Sequence, residues 1–274
     1  MNKESFKVAC IQLNSSDNVE RNIRVTKDLI IKSVELDQAE FIFTPENTSI
    51  MIGDYKKLLQ NSFFEGDDPT IKVTTALALK YKIWVSIGSI PIKINNENIV
   101  NRSYLINPSG EIVCFYDKIH MFDVQLSKHD TYEESKRFQS GKELKIAMTP
   151  WGKIGLSICY DIRFPNLYRS LASNGSIFLS IPAAFTKYTG TDHWHTLVKA
   201  RAIENGCFVF AAAQCGEHYD GRKTYGHSLI VSPWGKIMAE ANDSIGYIVS
   251  KIRLSEVTDV RKKLPVLEQI KKIE

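Results

Sequence analysis

Short apolar runs alternate with amphipathic segments along the whole chain. The apolar runs have the length and the β-branched content that are typical of strands. The predicted strands are residues 6–13, 40–45, 83–90, 102–108, 112–118, 145–150, 154–160, 176–182, 207–214, 227–233 and 246–252. This pattern predicts a protein of the α/β class, because segments with helical spacing separate several of the strands.

Four helices are predicted from the residues at their ends as well as from their apolar spacing. Asp17 or Asn18 can cap the first helix, and Asp68 can cap the second, with Pro69 at the first helical position. The third and the fourth each end at a glycine, which accepts the left-handed conformation common at that position. The predicted helices are residues 17–36, 68–82, 164–175 and 192–206.

Three related segments each place a Pro-x-Gly turn between two apolar runs, around Pro108, Pro150 and Pro233. Such turns predict antiparallel hairpins. A Rossmann-like sheet has mainly βαβ crossovers, so the mixture favours sheets that carry both kinds of connection. No linker-like or low-complexity stretch interrupts the pattern, and we predict one domain over residues 1–274.

Composition and charge exclude several classes of protein. The 274 residues include 35 basic and 31 acidic side chains, a formal net charge of +4 that is too mild to indicate nucleic-acid binding. The charged start of the chain and the lack of a long apolar stretch argue against a signal peptide or a membrane span, so we expect a cytoplasmic protein. Five scattered cysteines without a CxxC pair argue against disulfides or structural zinc.

One of these cysteines stands where a ligand could reach it. Cys159 ends the predicted strand 154–160 and is followed by a turn into a helix, whose amides would lower the pKa of the thiol. Glu46 and Lys118 come at the ends of two other predicted strands. Each residue alone could be a solvated strand end, but three reactive types at three such positions favour a shared site.

The surrounding motifs resemble those of a known family. "PEN" with Glu46, "YDKIHMFDV" with Lys118 and "CYDIRFP" with Cys159 resemble the three signature motifs of the nitrilase superfamily of carbon–nitrogen hydrolases. Residues 182–216 and 225–240 resemble its Nit branch, in particular the members that hydrolyse deaminated glutathione. The resemblance implies an αββα sandwich, a cysteine hydrolase without cofactor or metal, and a homodimer or a higher homo-oligomer.

The resemblance also implies a role for each motif residue. Cys159 is the expected nucleophile, Glu46 the general base, and Lys118 the cation that stabilises the oxyanion together with the backbone N–H of Tyr160. Glu134, rather than Glu133, is the expected second glutamate. The implied reaction is attack on a small-molecule amide, formation of a thioester with release of ammonia, and hydrolysis. Glu46 suits this role only if burial raises its pKa towards neutrality.

The expected substrate carries more than one carboxylate, so cations are expected around the pocket. Arg222 and Lys223 lie on one predicted loop and Arg201 on a predicted helix, while Phe185 is expected in the pocket wall. The loop charges could equally be solvated. Alternatives are an ω-amidase acting on 2-oxoglutaramate, an N-carbamoyl amide hydrolase, or a binding module that has lost catalysis.

Four other polar residues receive structural interpretations. Arg163 is expected to pair with Asp161 or to brace the turn after Cys159, and His120 to brace the loop that carries Lys118. His193 and His195 have a spacing that suits a metal pair on a strand, but their segment predicts a helix. The sequence therefore predicts no metal site there.

Overall fold

The computed structural model describes residues 4–126 and 131–271. Its strands are β1 (Ser5–Gln12), β2 (Phe41–Phe43), β3 (Trp84–Lys93), β4 (Ile99–Ile106), β5 (Ile112–Asp117), β6 (Asp123–Gln125), β7 (Thr131–Glu133), β8 (Lys145–Thr149), β9 (Gly152–Leu156), β10 (Ser176–Ser180), β11 (Phe208–Ala211), β12 (Cys215–Glu217), β13 (Lys223–Tyr225), β14 (Leu229–Val231), β15 (Ile237–Glu240) and β16 (Gly246–Arg253). The helices are α1 (Val19–Glu35), α2 (Tyr55–Gln60), α3 (Pro69–Tyr81), α4 (Pro165–Ser173), α5 (Lys187–Asn205) and α6 (Ser255–Lys263), with 3₁₀ turns at Glu134–Lys136 and Cys159–Arg163.

Twelve of the strands form two six-stranded sheets. The first sheet has the order β16-β1-β2-β3-β4-β5 and the second the order β15-β14-β11-β10-β9-β8. Within each sheet three neighbouring strands are parallel, β1-β2-β3 in the first and β9-β10-β11 in the second. The remaining pairs are antiparallel, so both sheets are mixed.

The sheets pack face to face and helices cover their outer faces. Aromatic side chains of both sheets meet in the central core, where the ring centroids of Phe43 and Phe210 are 4.7 Å apart. On the far side of the first sheet, Ile30 of α1 and Leu77 of α3 pack in a second apolar cluster. On the far side of the second sheet, Leu171 of α4 and Val198 of α5 extend the central core. The result is the predicted αββα sandwich.

The local signals of the sequence are confirmed at many element ends. The three predicted hairpins are β4–β5, β8–β9 and β14–β15. Asn18 caps α1 and Asp68 caps α3, and Gly206 ends α5 with a φ of 55°. The fourth helix begins earlier than predicted because Thr186 caps it. The sequence prediction omitted the helices α2 and α6 and the short strands β6, β7, β12 and β13.

The strand before Cys159 is shorter than predicted. β9 ends at Leu156, and Cys159 opens a 3₁₀ turn rather than ending the strand. The α-helix α4 starts only at Pro165, one 3₁₀ turn later. The predicted interaction of the thiol with the N-terminal amides of that helix is therefore wrong.

Within residues 4–126 and 131–271, no helix combines the length and the apolar character needed to cross a membrane.

Candidate active site

Three strand ends bring the predicted reactive residues together. Glu46 follows β2, Lys118 follows β5 directly, and Cys159 follows β9. In open α/β sheets the carboxyl ends of strands are the usual place for ligand binding. One cavity is lined by Glu46, Lys118 and Cys159 together, and by Glu134 from the 3₁₀ turn after β7.

Lys118 occupies the centre of this cluster and is almost fully buried, with 1% of its surface exposed. Its Nζ donates hydrogen bonds to Oε1 of Glu46 at 2.8 Å and to Oε1 and Oε2 of Glu134 at 2.9 and 2.8 Å. A buried charge is expensive unless it is paired, and here two carboxylates share one ammonium. The cluster therefore carries a formal excess of one negative charge.

Two further donors hold the carboxylate of Glu46. The backbone N–H of Ala184 donates to Oε2 at 2.8 Å, and Nδ2 of Asn101 donates to Oε1 at 3.0 Å. Asn101 also reaches Oε1 of Glu134 at 3.4 Å, while its own buried Oδ1 has no hydrogen-bond partner. Asn101 thus links the two glutamates from the middle of β4.

Glu134 and its neighbour Glu133 have different surroundings. Glu134 is buried, and its Oε2 accepts a hydrogen bond from the backbone N–H of Phe122 at 2.7 Å. The side chain of Glu133 is 52% exposed and pairs with Lys136 at 2.7 Å. Glu134, and not Glu133, therefore lies in the cluster with Lys118.

Cys159 has an unusual backbone. Its φ is 47°, a left-handed conformation that costs free energy for a residue with a side chain, and such strain tends to be found at functional sites. The Cys159 N–H donates to the carbonyl of Pro182 at 2.8 Å, which ties the turn to the end of β10. The side chain faces the cavity and is 7% exposed.

The pKa values in the cluster differ from those expected from the sequence. Burial and the negative charge of Glu46 raise the pKa of the Cys159 thiol well above its ordinary value, so the thiol is neutral at rest. Burial acts to raise the pKa of Glu46 as well, but the charge and hydrogen bond of Lys118 outweigh it and the pKa is lowered. The carboxylates raise the pKa of Lys118 despite its burial. The condition stated above for Glu46, a pKa raised towards neutrality, is not met in the resting cluster because Lys118 lies so close.

The turn after Cys159 is held by Asp161. Its carboxylate accepts hydrogen bonds from the Tyr116 hydroxyl at 2.8 Å and from the Ile158 N–H at 2.8 Å. The ring of His120 lies 2.7 Å from the same carboxylate, which confirms that His120 braces the loop after Lys118. Arg163 does not pair with Asp161, because that carboxylate already has these partners. Arg163 packs on the ring of Phe185 instead.

The cavity brings together some of the predicted substrate-binding residues. Tyr160, Phe185 and Arg222 line it, as does Arg137, which the sequence prediction omitted. The Arg222 guanidinium donates to the carbonyl of Ala184 at 2.9 Å, but its buried Nε has no hydrogen-bond partner. Arg222 also helps to lower the pKa of Arg137, second to burial, as expected for two cations side by side.

Two other predicted cations lie elsewhere. Lys223 points to solvent and pairs with Glu217 at 3.2 Å, outside the lining of the cavity. Lys223 is the first residue of β13, whereas Arg222 lies in the turn before that strand. Arg201 is buried beneath the turn after Cys159, where it donates to the carbonyl of Ile162 at 2.8 Å and pairs with Glu204. Neither residue is brought to the cavity.

Two residues of the site were missed because their signals are weak. Asn101 could have been noticed as an amide inside an otherwise apolar strand, where asparagine is disfavoured. Arg137 stands three residues after Glu134, so a 3₁₀ turn places both on one side. No sequence signal could have identified the Ala184 N–H, since every residue except proline carries one.

The stretch from His193 to His195 is helical as predicted, and the two histidines contact different partners. Nδ1 of His193 lies 3.2 Å from the guanidinium of Arg163, and Nε2 of His195 lies 2.9 Å from Glu240. Trp194 between them is fully buried and donates its indole N–H to the carbonyl of His227.

The fold and the cluster define a class of protein. A thiol beside a carboxylate and an ammonium can supply a nucleophile, a proton acceptor and oxyanion stabilisation, the three functions that acyl transfer requires. Here they lie at the carboxyl ends of strands in an αββα sandwich. This is the architecture of a hydrolase of the nitrilase superfamily.

Comparison with known proteins specifies the family. The sequence profile described as Carbon-nitrogen hydrolase matches residues 7–262. The chain is 37% identical to deaminated glutathione amidase of Yersinia enterocolitica, covering 95% of this chain and 91% of that protein. It is 35% identical to deaminated glutathione amidase of Homo sapiens, covering 95% of this chain and 81% of that protein.

Solved structures agree with this relationship. The NitFhit protein of C. elegans matches with a TM-score of 0.92 and 33% identity, over 99% of this chain and 66% of that longer chain. Nit3 of Saccharomyces cerevisiae, a member of branch 10 of the nitrilase superfamily, matches with a TM-score of 0.86 and 27% identity, over 96% of each chain. The chain therefore belongs to the carbon–nitrogen hydrolase family and is a hydrolase of carbon–nitrogen bonds other than peptide bonds.

Proposed function

We propose that this protein is an amidase that uses Cys159 as nucleophile, Glu46 as general base and Lys118 as oxyanion-stabilising cation. The observation that carries the proposal is that the buried side chains of Cys159 and Glu46 line one cavity, with Nζ of Lys118 2.8 Å from Oε1 of Glu46. Glu134 is the positioning residue for Lys118, because both of its oxygens accept from the ammonium.

The attack step follows from the pKa directions. A neutral thiol with a raised pKa beside a carboxylate with a lowered pKa does not ionise at rest. Proton transfer to Glu46 must accompany attack of the Cys159 sulfur on the amide carbon, so that negative charge passes to the amide oxygen. Lys118 and the backbone N–H of Tyr160 are the proposed partners of that oxygen. As the oxyanion forms, it competes with Glu46 for Lys118 and makes Glu46 a stronger base.

Collapse of the tetrahedral intermediate completes the first half of the reaction. Glu46 returns its proton to the leaving nitrogen, the carbon–nitrogen bond breaks and a thioester on Cys159 remains. In the second half a water gives a proton to Glu46 and attacks the thioester, which releases the acid and restores the thiol. Every proton in this cycle passes through one carboxylate, whose orientation is set by Ala184 and Asn101.

For the substrate we propose deaminated glutathione, the compound named in the relatives. Its scissile bond links 2-oxoglutarate to the nitrogen of cysteinylglycine, so cleavage releases cysteinylglycine. The release of ammonia expected from the sequence applies to primary amides and not to this substrate. The substrate has a carboxylate at each end, and Arg222 and Arg137 offer two guanidinium groups at the cavity for such anions.

The alternative substrate is 2-oxoglutaramate, which has the same acyl group and does release ammonia. An N-carbamoyl amide would use the same sulfur chemistry. The unpartnered Nε of Arg222 favours an anionic substrate in each case, because a buried guanidinium nitrogen without an acceptor is costly. A binding module without catalysis would not need the strained backbone of Cys159.

The test compares deaminated glutathione with 2-oxoglutaramate through their common product, 2-oxoglutarate, measured by chromatography. We expect turnover of the tripeptide derivative by the wild-type protein and none by Cys159→Ala. Arg222→Met should raise KM for the tripeptide derivative at least tenfold, whereas Lys223→Met, its exposed neighbour, should leave KM unchanged. Turnover of the keto amide alone would reassign the substrate, and activity in Cys159→Ala would contradict the proposed nucleophile.

We further propose that residues 1–274 fold as one domain and form a cytoplasmic homodimer or higher homo-oligomer. Support for self-association comes from large apolar side chains that are exposed on and beside α5. Tyr188, Ile203 and Trp234 are 69%, 46% and 58% exposed. Sedimentation equilibrium tests this, with Trp234→Glu expected to shift the protein towards the monomer.

A further inference from the structure

A cluster of two histidines and one glutamate lies outside the candidate active site. We propose that His195, His227 and Glu240 bind a divalent transition-metal ion, with Zn²⁺ as the preferred metal. The three come from α5, from the turn between β13 and β14 and from the end of β15. This site is independent of the proposed amidase function.

The ligand atoms are already close to one another. Nε2 of His195 and Nδ1 of His227 each lie 2.9 Å from Oε1 of Glu240, and all three ligand atoms are within 4.8 Å of one another. Tetrahedral Zn²⁺ with bonds of about 2.0–2.1 Å separates its ligand atoms by roughly 3.3 Å. Small changes in side-chain torsion angles would therefore lengthen the two 2.9 Å separations to the value that a bound ion requires.

The backbone around His227 is held in an unfavourable conformation. Its φ is 53°, although it is not a glycine, and its carbonyl accepts a hydrogen bond from the buried Trp194 indole at 2.7 Å. The ring stacks on Tyr225 with a centroid distance of 4.4 Å. These contacts aim the imidazole at Glu240, and such strain at a well-supported position is typical of functional sites.

Exposure and charge suit a metal that arrives from solution. The side chains of His195, His227 and Glu240 are 30%, 28% and 36% exposed, so open coordination positions would face water. Glu240 adds a carboxylate oxygen to the two imidazole nitrogens. Two imidazoles and a carboxylate form a ligand set that suits Zn²⁺ rather than Mg²⁺ or Ca²⁺.

Metal binding replaces two hydrogen bonds by coordinate bonds. In the metal-free cluster each imidazole donates an N–H to Glu240, and in the bound form the same nitrogens present lone pairs while the protons move to the other ring nitrogens. No net proton is released from neutral histidines. The ion would join α5 to the β14–β15 hairpin and stabilise the folded state by an amount that rises with the logarithm of the free metal concentration above the dissociation constant.

The experiment is a Zn²⁺ titration by calorimetry in the Cys159→Ala protein, which removes the cavity thiol as a competing ligand. We expect one saturable site, a rise in the thermal midpoint with Zn²⁺, and affinity at least tenfold weaker in His195→Ala. His193→Ala is the matched control, since it removes a histidine from the same helix outside the cluster and should bind as tightly as its parent.

A second variant and a second metal distinguish loss of the metal site from misfolding of a variant. Glu240→Gln keeps the shape of the side chain and should also weaken Zn²⁺ binding at least tenfold, with an unchanged circular dichroism spectrum. Co²⁺ should give d–d absorption bands in the parent that disappear in Glu240→Gln. Absence of saturable Zn²⁺ binding, or equal affinity in His195→Ala and His193→Ala, would overturn the site.

Discussion

The Nζ of Lys118 lies 2.8 Å from Oε1 of Glu46, although 72 positions separate the two residues in the chain. The contact determines the charge state of the whole cluster, because it keeps the pKa of Glu46 low in spite of burial. It also means that the proposed oxyanion-stabilising cation and the proposed base cannot be altered independently.

Removal of the central cation should destabilise the protein. Lys118→Met leaves Glu46 and Glu134 buried without their common partner, and breaking a buried pair in this way costs about 3–5 kcal/mol. Urea unfolding at pH 7 measures the loss. Lys145→Met is the control, since Lys145 pairs with the exposed Glu143 and its loss should leave the free energy of unfolding nearly unchanged. Similar stabilities for the two variants would show that the cluster relaxes or takes up a proton.

The two adjacent glutamates should respond differently to the same substitution. Glu134→Gln removes a carboxylate that holds Lys118, so we expect kcat to fall by about 10²–10³, the size of effect seen when an oxyanion partner is lost. Glu133→Gln should keep kcat within twofold, because that side chain is half exposed and pairs with Lys136 at the surface. Steady-state kinetics on both variants checks this. An equal loss of kcat in the two variants would contradict the role of Glu134 as the positioning residue for Lys118.

Asn101 should act as a positioning residue for Glu46. Asn101→Asp introduces a third carboxylate beside Glu46, which should raise the pKa of Glu46 and move the acid limb of kcat/KM to higher pH. Asn101→Leu removes a donor from the same carboxylate, so it should move that limb in the same direction but by less, because no charge is introduced. Asn98→Asp, on the exposed turn before β4, is the control. An unchanged acid limb in Asn101→Asp would exclude coupling between the two groups.

The pH dependence of stability and of kcat/KM in the wild-type protein should reflect the lowered pKa of Glu46. Its folded-state pKa is depressed, so its contribution to stability is fully present above the unfolded value of about 4.3 and is lost as pH falls through the folded value. The midpoint of the acid limb of kcat/KM should therefore lie below about 4.3. Stopped assays between pH 3 and 7 with circular dichroism as a folding check test this. A midpoint near neutrality would mean that burial outweighs Lys118.

The active-site motifs could be found from the sequence because each stands next to a local signal. Apolar runs mark the ends of β2, β5 and β9, and the polar residues that follow them identify Glu46, Lys118 and Cys159. Hairpin turns and helix caps were equally predictable, since their causes lie within a few residues. The sequence by itself thus determined the class of fold and predicted which residues meet in the candidate active site.

Tertiary structure decided the electrostatics and the composition of the site. The lowered pKa of Glu46 and the raised pKa of Cys159 depend on burial and on partners distant in the chain, which no local pattern reports. The same holds for Asn101 and Arg137, which joined the site, and for Lys223, which did not. His195, His227 and Glu240 likewise meet only because α5 packs beside β15. Proximity between such distant residues is a property of packing, and packing is set by the whole chain.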